Sequence, residues 1–141
     1  MRETVKKVKL IEPIDIERVS IYRDHYFPNA YIIDLPLDSL PDHVWLYIFE
    51  REWKISRHLW DRKLFVVGDK LRLVTTEHGI EEKIDWVKEV IERTNKSVDE
   101  YNKEADVRAV QAEEEARKQA EEEKAKAEAI KDVVRRRFGA L

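Results

Sequence analysis

Lys63, Leu64, Phe65, Val66 and Val67, then Gly68 and Asp69, then Lys70, Leu71, Arg72, Leu73, Val74 and Thr75: two apolar, strand-forming runs flank a two-residue Gly-Asp connection. A turn of that length matches the right-handed twist of paired strands, so the stretch predicts an antiparallel hairpin. Just beyond it, Gly79 opens a run of fifty-nine residues without Gly or Pro that ends at Gly139 and is saturated with Ala, Glu, Lys and Arg. That composition predicts one long helix. At about 1.5 Å of rise per residue it reaches roughly 85 to 90 Å, beyond the diameter of any core the remaining chain can build. Part of it must project, bend back or pair with another chain.

Upstream of the hairpin, Val19 and Ile21 alternate with Arg18 and Ser20, and Tyr31, Ile32, Ile33 and Leu35 form a run bounded by Pro28-Asn29 and Pro36. Both read as strands. Val8, Leu10, Ile11, Ile14 and Ile16 surround Pro13, which cannot donate to a central ladder and marks an edge strand or a break. Between these strands and the hairpin a helix is expected from Ser39, with Asp42 completing a capping-box-like pattern and Pro41 in its first turn. Its apolar face (Leu40, Val44, Trp45, Tyr47, Ile48, Phe49, Trp53) is wide enough to pack on a sheet. Ile55 to Trp60 offers a third strand through a turn at Asp61-Arg62. The order strand, strand, helix, hairpin, helix gives an α+β fold: a small antiparallel or mixed sheet with one packed helix, followed by a long C-terminal helix.

The apolar stripe of the long helix reports where it is covered. It is broad over Ile80, Ile84, Trp86, Val87, Val90 and Ile91, thin at Val98 and Tyr101, and mostly Ala beyond Ala105. An α+β domain over residues 1–95 and a projecting, charged, Ala-rich helical tail over residues 96–141 follow from that narrowing. Ala105, Ala116, Ala127 and Phe138 stand eleven residues apart, a rhythm that does not impose left-handed supercoiling and suits nearly straight pairing. Acids precede bases by one turn at Glu89–Arg93, Glu92–Lys96, Asp99–Lys103, Glu104–Arg108, Glu113–Arg117, Glu114–Lys118 and Glu122–Lys126. Each such pair contributes about 0.2 to 0.5 kcal/mol, and together they support the helix without tertiary cover. The low-complexity stretch from Glu113 to Ala129 is also compatible with a disordered tail.

Composition narrows the chemistry. A net charge of −3, with 40% of residues charged, argues against wholesale wrapping of nucleic acid. There is no cysteine, hence no disulfide framework and no thiolate nucleophile or ligand. The longest strictly apolar run, Val44 to Phe49, is too short for a bilayer, and the first residues lack the apolar stretch of a signal peptide, so a cytoplasmic, membrane-free protein is expected. Three glycines leave no phosphate cradle, and neither a nucleophile elbow nor a zinc-protease helix is present, so no cofactor and no metal is expected.

Three functional readings remain. The first is a non-enzymatic assembly module that pairs with a second copy or a protein partner through Val98, Tyr101, Ile130, Val134 and Phe138. The second is single-stranded nucleic-acid binding through Arg51, Trp53, Lys54, Arg57, His58, Trp60, Arg62 and Lys63, where cations for phosphate interleave with aromatic faces for bases. The third is a small-ligand or catalytic pocket around His25, flanked by Tyr22, Tyr26 and Phe27, or around His58, flanked by Trp53 and Trp60. The basic end, Lys131 and Arg135 to Arg137, complements the negative pole of the helix.

Overall fold

A computed structural model describes residues 4–55 and 61–139. A short 3-10 turn (Ile16–Arg18) leads to β1 (Ser20–Arg23), β2 (Ala30–Pro36), α1 (His43–Lys54), β3 (Arg62–Val67), β4 (Lys70–Thr76) and α2 (Ile80–Phe138). The strands form one sheet in the order β1-β2-β4-β3, antiparallel throughout. The described residues divide into two compact units, 4–102 and 103–139, and α2 contributes to both.

The β3–β4 hairpin closes with Val67 opposite Lys70. Gly68 takes a φ of 62°, a region that L side chains adopt only with strain, so the glycine is what makes the two-residue turn cheap. β4 then pairs with β2 in the register Ile33–Leu73 and Leu35–Leu71, which puts four apolar side chains on one face beside Leu64 of β3. α1 covers that face with Trp45, Ile48, Phe49 and Trp53, the Trp45 and Phe49 rings stacked 5.2 Å apart. Trp86, Val87, Val90, Ile91 and Val98 of α2 complete the core. The opposite face of the sheet holds the Asp34–Arg72 pair, bidentate at 2.8 and 3.1 Å, and this hydrogen bonding keeps the Arg72 pKa above its ordinary value.

β1 forms where a strand is expected, and all four of its residues are exposed, Ile21 at 62%. It is an edge strand, and the core stops at β2. α1 starts at His43 rather than near Ser39, with Asp42 as its cap, accepting from the Val44 amide at 2.7 Å, while Ser39 turns its hydroxyl to Asp38. Pro41 disfavours helical geometry at the residue before it, which delays the start. Tyr47 and Leu40 consequently lie outside the buried face, at 70% and 73% exposure. Of the strand expected over Ile55 to Trp60, Ile55 is the C-terminal cap residue of α1, and the remainder lies outside the described residues.

The segment before the 3-10 turn is held by side chains rather than by the sheet alone. It makes a single bridge, Leu10 with Leu37. Asn95 of α2 accepts from the Val8 amide (3.2 Å) and donates to the Val8 carbonyl (2.8 Å), and its Oδ1 also accepts from the Trp45 indole (2.9 Å). Two turns on, Asn102 repeats the pattern with Val5 at 2.9 and 3.0 Å. Each amide side chain thus supplies the donor and acceptor that a neighbouring strand would otherwise provide. Val98, between the two Asn, is fully buried, so the contacts of this unit continue past residue 95. Among the described residues no helix is long and apolar enough to cross a membrane.

Candidate functional site

A cleft of about 480 Å³ opens where β2 and β3 begin, β4 ends and α2 starts. Antiparallel pairing brings those ends together, with Ala30 opposite Thr76 and Arg62 opposite Thr75. Phe27, Pro28, Ala30 and Val74 give it an apolar wall, and Asp61, Arg62, Lys63, Glu82 and Lys83 give it charge. The Arg62 side chain is 2% exposed and lies 5.0 Å from the Trp86 ring. Its Nε and Nη2 donate to Asp61 at 2.8 and 3.1 Å, and Nη1 and Nη2 reach Glu82 at 3.5 Å. Burial alone would lower the Arg62 pKa, but hydrogen bonds and charge from Asp61, then from Glu82, hold it above its ordinary value. Arg62 is therefore a fixed cation already neutralised by two carboxylates.

The other two cations of the cleft differ. Lys63 is exposed, its Nζ 4.4 Å from the centre of the Phe27 ring. Lys83 is buried at 4% exposure, and its Nζ donates to the Thr76 carbonyl (3.2 Å) and hydroxyl (3.1 Å). His78 also lines the cleft, and Lys83 did not stand out in the sequence, because a cation among acids on a charged helix reads as a solvated face.

The basic and aromatic segment does not assemble as one surface in its described part. Trp53 is buried in the core and presents no stacking face. Arg51 pairs with Glu52 (3.5 Å) and Lys54 with Glu50 (2.6 Å), while Arg62 turns inward to its carboxylates. Arg57, His58 and Trp60 lie outside the described residues. His25 is exposed on the connection between β1 and β2, with Tyr26 91% exposed beside it, so its aromatic neighbours form no enclosing wall. Among the described residues no group of His, Asp and Glu is arranged to hold a metal ion.

The second candidate surface is the distal part of α2. From residue 103 to residue 139 every side chain is exposed except Ala105 and Ala109, which are half-buried. Glu113 to Ala129 is helical throughout. Ile130, Val134 and Phe138 are 64%, 49% and 84% exposed, and Tyr101 37%, whereas Val98 is enclosed in its own core and is withdrawn from the expected interface. Of the anticipated one-turn ion pairs, Glu89–Arg93 closes at 3.6 Å, and Asp99 turns to Lys7 at 3.4 Å.

Comparison of the chain with protein-family models, with curated proteins and with solved structures gives no match.

Proposed function

We propose that this protein is a cytoplasmic assembly module, a non-enzymatic chain that pairs with a second copy of itself through the distal part of α2. The observation that carries this reading is that α2 keeps an apolar stripe over residues 103–138, where nearly every side chain is exposed. At about 100° per residue, Ala105, Ala109, Ala112, Ala116, Ala120, Ala127, Ile130, Val134 and Phe138 fall within an arc of about 80°.

Charge selects the occupant and its direction. Over residues 103–123 eight acids oppose four bases, and over residues 124–139 six bases oppose two acids. The distal helix is thus an acidic block followed by a basic block of equal net charge. Two copies laid antiparallel about a pivot near residues 123 and 124 set each basic block on the partner's acidic block, whereas parallel copies set like on like. At that pivot Glu123, inside the apolar arc, meets Lys124 of the partner subunit. Alanine buries little area, so association in the micromolar range, on the order of 1 to 100 µM, is expected.

Sedimentation velocity decides it. The full chain should be a dimer whose dissociation constant rises with salt, and a Val134→Glu, Phe138→Glu variant a monomer. Because the chain has no cysteine, introduced thiols report direction: an Ala120→Cys chain mixed with an Ala127→Cys chain should cross-link to each other in preference to themselves. A full chain that stays monomeric well above that range removes the reading. Cross-linking of each variant with itself removes the antiparallel arrangement alone.

A further inference from the structure

The cleft beside the start of α2 holds a buried ammonium that no ion pair among the described residues reaches, and the geometry points to a binding site there for a small organic anion. The anion's carboxylate or phosphate group sits at Lys83, and its apolar body lies on Phe27, Pro28, Ala30 and Val74.

Lysine is almost never this deeply buried unless an acid pairs with it. Lys83 is 4% exposed, and its hydrogen-bond acceptors are the two oxygens of Thr76, both neutral. Among the described residues no ion pair reaches it, because the two carboxylates lining the cleft, Asp61 and Glu82, both close on Arg62. An ammonium carries three donors, and among the described residues the acceptors it meets are the two oxygens of Thr76, which leaves a donor for an anion in the cleft. The desolvation of an unpaired charge is a standing penalty, and an anion that supplies the missing partner relieves it.

The surroundings agree with that occupant. Lys63, held over Phe27 at the rim, adds a second cation. Gly79 also lines the cleft with φ at 65°, and the nearest atom to a Cβ placed there is Glu82 Oε2 at 3.9 Å, so backbone bulk does not close the first turn of α2 while the Glu82 carboxylate, held toward Arg62, stands beside it. The first-turn amides lack intrahelical acceptors and face the same direction as the positive pole of the helix. A volume of about 480 Å³ lies within the range of small-molecule sites, about 300 to 1,000 Å³. Apolar walls with a few convergent cations select an anion that carries a hydrocarbon or aromatic body over a bare inorganic ion.

The test uses the full chain and three probes of one shape: phenylacetate, phenyl phosphate and the neutral phenylacetamide. In an amide-resolved NMR titration, at least one of the two anions should move the Thr76, Gly79 and Lys83 resonances saturably. The amide should bind at least tenfold more weakly, and the better of the two anions identifies the head group. Lys83→Met, which keeps the stem and removes the charge, should weaken that anion at least tenfold. No saturable shift with either anion, an equal response to phenylacetamide, or full retention of binding in Lys83→Met each overturns the site. Should Lys83→Met fail to fold, the acid-against-amide comparison on the unaltered chain decides alone.

Discussion

Replacing Asn95 with Leu tests the contact that joins three parts of the fold. The two side chains branch alike, with the same number of heavy atoms, so the change removes hydrogen bonding while keeping the outline of the side chain. It strands the Val8 amide, the Val8 carbonyl and the Trp45 indole N–H, in a place where Val8 is 1% and Trp45 0% exposed. Each buried group left without a partner costs about 1 to 3 kcal/mol, and some relaxation toward water is available at the segment's exposed side, so about 3 to 6 kcal/mol is expected. Against a typical total of about 5 to 15 kcal/mol, that is a large share. Urea unfolding followed by tryptophan fluorescence isolates this unit, because all four Trp lie at or before residue 86. With a slope of about 1.5 kcal/mol per molar urea the midpoint should fall by about 2 to 4 M at unchanged slope. Pairing the change with Trp45→Phe in a double-mutant cycle should return a coupling of about 1 kcal/mol. A loss below about 1 kcal/mol for Asn95→Leu would refute the reasoning, since it would mean that the three groups find other partners at no cost.

Trp53→Ala, which empties a large core position at 8% exposure, should lower stability by about 3 to 5 kcal/mol in the same assay, and a loss under 1 kcal/mol would return Trp53 to the surface. Ending the chain after Lys103 should leave the fluorescence midpoint within about 0.5 kcal/mol of the full chain, whereas ending it after Thr94 removes Asn95, Val98 and Asn102 and should abolish the cooperative transition. Asp34→Asn keeps the shape of the sheet's outer ion pair but removes its negative charge and sets an NH2 donor against one of the two Arg72 donors, so one hydrogen bond is lost and the other weakened; the change should cost about 1.5 to 3 kcal/mol, read as a shift in urea midpoint.

The parts of the fold legible in the sequence are those governed by neighbours in the chain. Gly68-Asp69 between two apolar runs specifies the hairpin locally, and the absence of any breaker between Gly79 and Gly139 specifies α2. The start of α1 was misplaced because a capping pattern weighs Ser39 and Asp42 alike, while Pro41 lets only the latter serve. The stitching of the N-terminal segment was illegible for a different reason. An Asn on a charged helix resembles any solvated polar residue, and its partner is backbone, which has no sequence signature. A trace was present: Asn95 and Asn102 stand seven residues apart on the turns that carry Ile91 and Val98, polar residues on an apolar face. Lys83 was hidden likewise, since only the tertiary fold shows that Arg62 takes both carboxylates of the cleft.

The two asparagines also set a clock for synthesis. Val5 and Val8 are made well before their partners, which lie 97 and 87 positions later. At about 5 to 20 residues per second, the segment waits roughly 5 to 20 s on the translating ribosome before the groups that satisfy it exist. The β3–β4 hairpin closes locally within about 1 to 10 µs, so a segment made before the hairpin finds its place after it.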